Sequence, residues 1–295
     1  MKNRSLMHAV VLVIMLFVKM PYAAADPILG VIDISAIRDR HPGGGNSLGV
    51  AYNPTSDVLY LSQFVTPSAA PTQGYIYTLD LQGNLLNELN FQEVYTPGSY
   101  PTSLSYDQKT GHLFVYAFGV GPEVGNFVEM SPDGKTIFNQ FTVPLGGGGG
   151  IHVRDDGVWQ SLFASDTIRH YTPAGTFIDE LSVASSFPGF PGPNDLTSSF
   201  TGGFFLLDSF GSRVVEVDSN GNEVTSVSTA SLGSSFLSID SDISTQRVFL
   251  QNNGQIYILS SEFIQGVPEP STLALLSIGS IGMVGYVLRQ HKRAA

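Results

Sequence analysis

Between residues 48 and 263 the chain alternates short segments of apolar and polar residues with turns rich in Gly, Asp, Asn and Ser. Residues 75–79 (YIYTL) and 214–217 (VVEV) show the two-residue period that is typical of β-strands. The 3.6-residue apolar period of an amphipathic helix does not occur in this region. The pattern therefore predicts an all-β protein.

The β-pattern is organised in five repeated units, whose strands begin near residues 49, 102, 150, 194 and 235. Four units carry a Gly turn between two alternating strands, and these turns read DLQGN, SPDGK, TPAGT and DSNGN. A tight hairpin needs a positive φ there, which glycine adopts without steric cost. Four strands per unit, repeated every 41 to 53 residues, predict the blades of a β-propeller. We expect five blades; a six-bladed ring with one degenerate blade, and a β-sandwich, stay open as alternatives.

The two ends of the repeated region complement each other. The fifth unit, residues 235–263, lacks its fourth strand, and residues 28–34 (ILGVIDI) form an isolated strand ahead of the first unit. We expect this strand to pair into the last blade and close the ring, because closure removes free sheet edges. The chain contains no Cys, so no disulfide supports the fold.

The N-terminal segment has the three parts of a secretory signal peptide. Lys2 and Arg4 precede an apolar run at residues 9–18, and Ala23-Ala24-Ala25 follows. The run is shorter than the roughly 20 residues that a membrane-spanning helix needs. We predict a signal peptide at residues 1–25 that is cleaved after Ala25.

The C-terminal segment predicts a transmembrane helix. Residues 271–288 contain no charged side chain and would form a helix roughly 27 Å long, enough to cross a hydrocarbon core. Basic residues follow at once, and such residues stay on the cytoplasmic side, so the body should face outward. The predicted domains are therefore the signal peptide, a propeller at residues 26–266 and a C-terminal region at residues 267–295.

This C-terminal region resembles the PEP-CTERM sorting signal of bacterial surface proteins. The resemblance rests on an apolar helix between two motifs, which consist of Val267, Pro268, Glu269, Pro270 and Ser271 and of Arg289, Lys292 and Arg293. It implies an exosortase-type processing enzyme as partner, with the helix as a transient inner-membrane anchor. It also implies export to the outer surface or extracellular matrix of an exopolysaccharide-producing, Gram-negative bacterium.

The charge of the body narrows the choice of partners. Six of the 14 Lys and Arg residues lie in the two terminal segments, but only one of the 25 Asp and Glu residues does. Residues 26–266 therefore carry 8 basic and 24 acidic residues, a formal net charge of −16. Such a surface repels phosphate backbones, so we expect no nucleic-acid partner.

The fourth unit and the Asp-Gly turns also resemble NHL-type repeats, which occur in propeller lyases and lactonases. In such repeats an Asp at the end of the second strand braces the next turn, and Asp166 and Asp208 occupy this position. The metal-dependent enzymes of this kind gather ligands at the central channel. His152, Asn194 and Asp195 are the candidate metal ligands here, with calcium or another divalent ion as the cofactor. No catalytic residue is predicted.

The connections between units are long, uncharged and rich in Pro, Gly and Ser, and a propeller places them all around one channel mouth. Four aromatic residues in them are candidate ligand contacts, Tyr95, Tyr100, Phe187 and Phe190. The alternative is that these rings fill the seams between blades. The favoured function is a non-catalytic binding or scaffold module of the exopolysaccharide matrix or biofilm, with polysaccharide or a matrix protein as partner. A metal-dependent lyase or lactonase and a self-associating surface-layer component are the alternatives.

Overall fold

The structure, a computed structural model, describes residues 27–41, 45–66, 72–96, 98–118, 124–144, 149–187, 191–233 and 235–264. Within these residues, twenty strands form five four-stranded antiparallel sheets arranged as the blades of a propeller. The predictions of an all-β fold and of five blades are confirmed. The described part of the chain contains no helix that is long and apolar enough to cross a membrane. The predicted signal peptide and the predicted helix at residues 271–288 lie outside it.

The strands are numbered along the chain, and blades one to four each run from an inner to an outer strand. The chain starts with β1 (Ile28–Asp33) and the one-turn helix α1 (Ser35–Arg38). Blade one contains β2 (Gly45–Asn53), β3 (Val58–Val65), β4 (Gln73–Asp80) and β5 (Leu85–Asn90), followed by helix α2 (Phe91–Val94). Blade two contains β6 (Tyr100–Asp107), β7 (His112–Phe118), β8 (Val124–Met130) and β9 (Ile137–Pro144).

Blades three and four repeat this arrangement with shorter strands. Blade three contains β10 (Ile151–Arg154), β11 (Gly157–Ser161), β12 (Thr167–Tyr171) and β13 (Phe177–Ser182). Blade four contains β14 (Asp195–Ser198), β15 (Phe204–Asp208), β16 (Arg213–Val217) and β17 (Glu223–Ser228), followed by a 3₁₀ turn (Ala230–Leu232). Blade five contains β18 (Ser238–Asp242), β19 (Arg247–Gln251) and β20 (Gln255–Ser260), followed by helix α3 (Ser261–Ile264).

Blade five receives its outer strand from the other end of the chain. β1 pairs antiparallel with β20, with Val31 opposite Tyr257 and Asp33 opposite Gln255. The Ser260 N–H donates to the Pro27 carbonyl at 2.9 Å and extends this pairing. The prediction that the N-terminal strand closes the ring is confirmed.

Apolar side chains fill the five seams between neighbouring blades. In the closing seam, Phe249 of blade five stacks on Tyr52 of blade one with ring centroids 4.6 Å apart, and both rings are buried. Burying a side chain of this size contributes roughly 1.5–3 kcal/mol. Each seam has its own cluster of this kind. The core of the unit Pro27–Gly266 is therefore distributed around the ring and lies within the unit itself.

The Gly turns of blades one to four close these seams at the outer edge. Gly221 has φ 80°, and a Cβ there would lie 2.0 Å from the carbonyl oxygen of Ser182 in the preceding blade. Blade five has no such turn because β1 is not continuous with β20. Helix α3 takes its place, with Ile264 only 1% exposed in the seam with blade four.

The two faces of the ring differ in what they carry. We call the face where the inner strands begin the N face, and the face where they end the C face. Because β20 runs toward the C face and β1 starts beside Leu259, both Pro27 and Ile264 lie on the C face. The connections between blades lie on the N face.

Candidate binding site

Hydrogen bonds around the channel join the inner strands of neighbouring blades. The Asp195 carboxylate of β14 accepts from the Ile239 N–H at 3.0 Å and from the Ser238 hydroxyl at 2.5 Å, both in β18. Ser238 Oγ in turn accepts from the Val50 N–H of β2 at 3.0 Å. These side chains therefore join three consecutive blades around the ring.

Other inner-strand residues form the same kind of bond. The Asp240 carboxylate accepts from the Tyr52 N–H at 2.7 Å and joins blade five to blade one. Ser103 Oγ of β6 accepts from the Ile151 N–H of β10 at 3.0 Å and joins blade two to blade three. A polar side chain on one strand thus satisfies a backbone donor on the next, as buried N–H groups require.

Burial sets the protonation of the ionisable groups in this layer. It raises the pKa of Asp195 to about 7 and that of Asp240 to about 6, although their hydrogen bonds act in the opposite direction. Burial, and then the charge of Arg154, lower the pKa of His152 to about 3. The His152 imidazole is therefore neutral at physiological pH.

The N face opens into a cavity of about 280 Å³ at the channel mouth. We call it the N-face mouth, and all five blades contribute to its lining. The lining residues are Leu48, Phe64, Tyr100, Thr102, Ser103, Phe118, Gly149, Gly150, Asn194, Asp195 and Leu237. Apart from Asp195 this lining is uncharged.

Three aromatic rings stand side by side on one wall of the N-face mouth. The Tyr100 ring lies 5.2 Å from that of Phe64 and 5.8 Å from that of Phe118, measured between centroids. All three side chains are half-buried, so each keeps part of its surface open to the cavity. Strands β3, β6 and β7 hold them in place. The wall is therefore a preformed aromatic surface that spans two blades.

The opposite wall is built around a glycine. A Cβ on Gly150 would lie 1.4 Å from Asp195 Oδ1, so only glycine fits beside this carboxyl group. Asn194 is next to it, and its side-chain amide donates to the Leu237 carbonyl at 2.7 Å. The polar groups on this side of the cavity are therefore the carboxyl group of Asp195 and the side-chain amide of Asn194.

The structure separates the residues that the sequence proposed as ligand contacts. Tyr100 lines the N-face mouth, but Tyr95 packs against Phe91, 5.3 Å away, at the seam between blades one and two. Phe187 is only 3% exposed and fills the seam between blades three and four, because its N–H bonds back to the Val183 carbonyl. Phe190 lies outside the described residues.

Phe64 and Phe118 were not among the ligand contacts predicted from the sequence. Both are at or next to the last residue of a second strand, so their alternation with neighbours reads as ordinary sheet. The feature of the sequence that could have identified them is their position. Each is an aromatic residue at the end of an apolar strand, just before a Gly- and Pro-rich segment.

The C face opens into a second cavity of about 430 Å³, which we call the C-face mouth. Its lining is polar and includes six charged residues, Asp107, Lys109, Arg154, Asp155, Asp156 and Asp240. His152 lines this mouth, whereas Asn194 and Asp195 line the N-face mouth. The three proposed metal ligands therefore do not line one cavity, because β10 and β14 expose them at opposite ends of the channel. Among the described residues, no group of three or more His, Cys, Asp or Glu side chains could hold a metal ion.

Residues 266–293 match the PEP-CTERM protein-sorting motif. No curated protein matches the chain. Among solved structures it is similar to a glutaminyl cyclase from Myxococcus xanthus, at 14% identity and a TM-score of 0.56, covering 78% of this chain and 94% of that one. It also matches a protein of unknown function from Bacteroides caccae, at 13% identity, a TM-score of 0.48 and 71% of each chain.

A streptogramin B lyase is a further match, at 13% identity and a TM-score of 0.46, covering 80% of this chain and 89% of that one. At these identities the likeness to the cyclase shows the fold alone. The sorting motif indicates that the protein is exported and sorted to the surface. The chain is a five-bladed β-propeller that ends in a PEP-CTERM protein-sorting motif.

Proposed function

We propose that the protein is a binding module of the extracellular matrix, whose N-face mouth holds a neutral polysaccharide without catalysing a reaction on it. The observation that carries this proposal is the wall formed by Phe64, Tyr100 and Phe118. Sugar rings present apolar C–H faces that stack on aromatic side chains, while their hydroxyl groups need polar partners. The Asn194 side chain lines the same cavity and can supply such a partner.

The charge of the site and of the body favours an uncharged ligand. Asp195 is the one carboxyl group of the described N-face lining, which has no basic side chain, and its raised pKa leaves much of it protonated near neutrality. The body around it carries a formal net charge of −16, which repels anionic polymers. A neutral polysaccharide is not repelled by the net charge of the body and needs no charged partner in the site.

The position of the chain ends suits this role. Ile264 lies two residues before the sorting motif and on the C face. The candidate site therefore lies on the face opposite the point where the chain leaves the propeller.

The test is affinity electrophoresis of residues 26–266 through gels that contain a neutral polysaccharide of the producing cells or dextran. We expect the wild type to be retarded, and the triple variant Phe64→Ala, Tyr100→Ala, Phe118→Ala to migrate as in an empty gel. Phe177→Ala is the matched control, since it removes a half-exposed aromatic ring from the outer strand β13. Equal retardation of the wild type and the triple variant, or no retardation of either, would contradict the proposal.

A further inference from the structure

The C-face mouth contains a serine hydroxyl paired with a histidine from the neighbouring blade. Ser198 Oγ, at the end of β14, lies 2.8 Å from Nε2 of His152 in β10. Within the described residues this is the one hydrogen bond that the Ser198 hydroxyl makes. Both residues line the cavity, and the His152 side chain is 12% exposed. A hydroxyl at this distance from a neutral imidazole can pass its proton to the ring.

A carboxylate stands behind the histidine through one intervening hydroxyl. Thr197 Oγ1 lies 3.4 Å from His152 Nδ1 and 3.0 Å from Asp240 Oδ1. The direct distance from Nδ1 to Asp240 Oδ1 is 3.9 Å, too long for a hydrogen bond. Because Asp240 takes the Thr197 proton, the lone pairs of that hydroxyl can accept from Nδ1–H. The Ser105 hydroxyl also lies 3.5 Å from Nδ1. In the tautomer whose Nδ1–H donates to these hydroxyl oxygens, Nε2 is free to accept from Ser198.

We propose that Ser198 is a nucleophile and His152 its general base, and that the C-face mouth accepts small carboxylic esters for acyl transfer. The roles match those of a serine, histidine and aspartate in hydrolases of unrelated folds. Thr197 and Asp240 are positioning residues, since they act through the imidazole. Arg154 lines the same cavity, and we expect its guanidinium to stabilise the negative charge that develops on the carbonyl oxygen.

The reaction balances without a cofactor. The Ser198 proton moves to His152 Nε2 while Oγ bonds to the ester carbonyl carbon, and the tetrahedral intermediate then expels the alcohol, which takes the proton from Nε2. Water next adds to the acyl-serine and gives a proton to Nε2, and the carboxylic acid leaves as Oγ recovers its proton. The imidazole is a weak base in this buried setting, so we expect slow turnover that is restricted to activated esters.

The test is labelling of residues 26–266 by an alkyl fluorophosphonate, which phosphonylates nucleophilic serines with loss of fluoride, followed by peptide mass spectrometry. We expect the adduct at Ser198, and we expect para-nitrophenyl acetate hydrolysis to fall at least about tenfold in Ser198→Ala. Ser56→Ala, which changes an exposed serine on the same face, should leave both unchanged. Absence of a Ser198 adduct, or equal hydrolysis by the wild type and Ser198→Ala, would overturn the proposal.

The positioning role is tested by two variants of one residue. Thr197→Ser keeps the hydroxyl and should keep the labelling rate of Ser198 within about twofold, whereas Thr197→Val should lower it about tenfold. Rates are compared below the melting transition of both variants, so that lost folding does not mimic lost positioning. Equal rates for Thr197→Ser and Thr197→Val would remove Thr197 and Asp240 from the arrangement.

Discussion

The two mouths of the channel are ends of the same five inner strands, yet they differ in character. The N-face mouth is lined by aromatic rings, glycine and one carboxyl group, and the C-face mouth by both signs of charge and a histidine. Asp195 and Ser238, the first residues of β14 and β18, are committed to hydrogen bonds between blades. The inner strands therefore hold the ring together and also carry different side chains at their two ends.

The largest loss of stability is expected from a substitution of Gly150, which lines only the N-face mouth. In Gly150→Ala the new Cβ would collide with the Asp195 carboxyl and with the Asp195 backbone. Because that carboxyl bonds to β18, the neighbouring blades must shift, and we expect a loss of about 3 kcal/mol of unfolding free energy. Urea unfolding measures it.

The matched control for Gly150→Ala is Gly30→Ala. A Cβ at Gly30 would make only an ordinary contact, 3.6 Å from Ile258 Cδ1. We expect Gly30→Ala to change the unfolding free energy by no more than about 0.5 kcal/mol. Similar losses in both variants would contradict the tight packing at the floor of the N-face mouth.

The buried carboxyl groups predict a stability that falls as pH rises. The folded-state pKa values of Asp195 and Asp240, about 7 and about 6, lie above the ordinary aspartate pKa of 3.8. The folded state therefore binds protons more tightly between these values, and the unfolding free energy should decrease from pH 4.5 to pH 7.5. We expect the melting temperature to fall by several degrees over this range.

The double variant Asp195→Asn, Asp240→Asn sharpens this test, because it removes both titrating groups. Its melting temperature should be lower at pH 4.5 but should change little with pH. A wild-type melting temperature that rises from pH 4.5 to pH 7.5 would contradict the burial of these groups.

Tyr100 should matter for binding more than any charged residue of the other mouth. Tyr100→Ala removes the central ring of the aromatic wall, and we expect about 1 kcal/mol of lost binding energy, a roughly fivefold rise in Kd for a neutral oligosaccharide. Tyr100→Phe keeps the ring and should bind nearly as the wild type. Arg154→Ala changes the C-face mouth and should leave the Kd for the oligosaccharide unchanged. A rise in Kd as large as that of Tyr100→Ala would contradict a ligand site at the N-face mouth.

The smallest effect is expected from removing divalent metal. Both Asp195 oxygens already accept hydrogen bonds from the protein, and His152 belongs to the other mouth. We expect dialysed residues 26–266 to melt at the same temperature with calcium and with EDTA. A stoichiometric metal in the dialysed protein, with a melting temperature that EDTA lowers, would favour the metal-dependent enzyme.

Local patterns were enough to predict much of the fold. The alternation of apolar residues in β4 and β16, and the Gly turns that follow such strands, depend on neighbours in sequence, and the pairing of β1 into blade five followed from counting strands. The substitution of α3 for the missing turn of blade five was not predicted. That contact joins Ile264 to a seam formed by residues far away in the sequence.

The candidate site was harder to predict, because its bonds connect residues that are far apart. Asp195 bonds to Ile239, 44 residues away, and no local pattern distinguishes such a carboxyl from a metal ligand. The position of Phe187 was also not predicted. Its Gly- and Pro-rich segment suggests exposure, but the Phe187 N–H bonds to the Val183 carbonyl and the ring is buried in the seam. The sequence predicted that the connections between blades surround a channel mouth and that Tyr100 belongs to it. It did not predict that the two ends of the channel form different cavities.

Hydrogen–deuterium exchange with and without a saturating neutral oligosaccharide measures the protection of backbone amides at both mouths in one experiment. We predict slower exchange at the N-face segments, residues 98–104 and 149–151, and unchanged exchange at residues 105–111 and 153–157 of the C face. Protection confined to the C-face segments, or none on either face under conditions where binding is saturated, would contradict a polysaccharide site at the aromatic mouth.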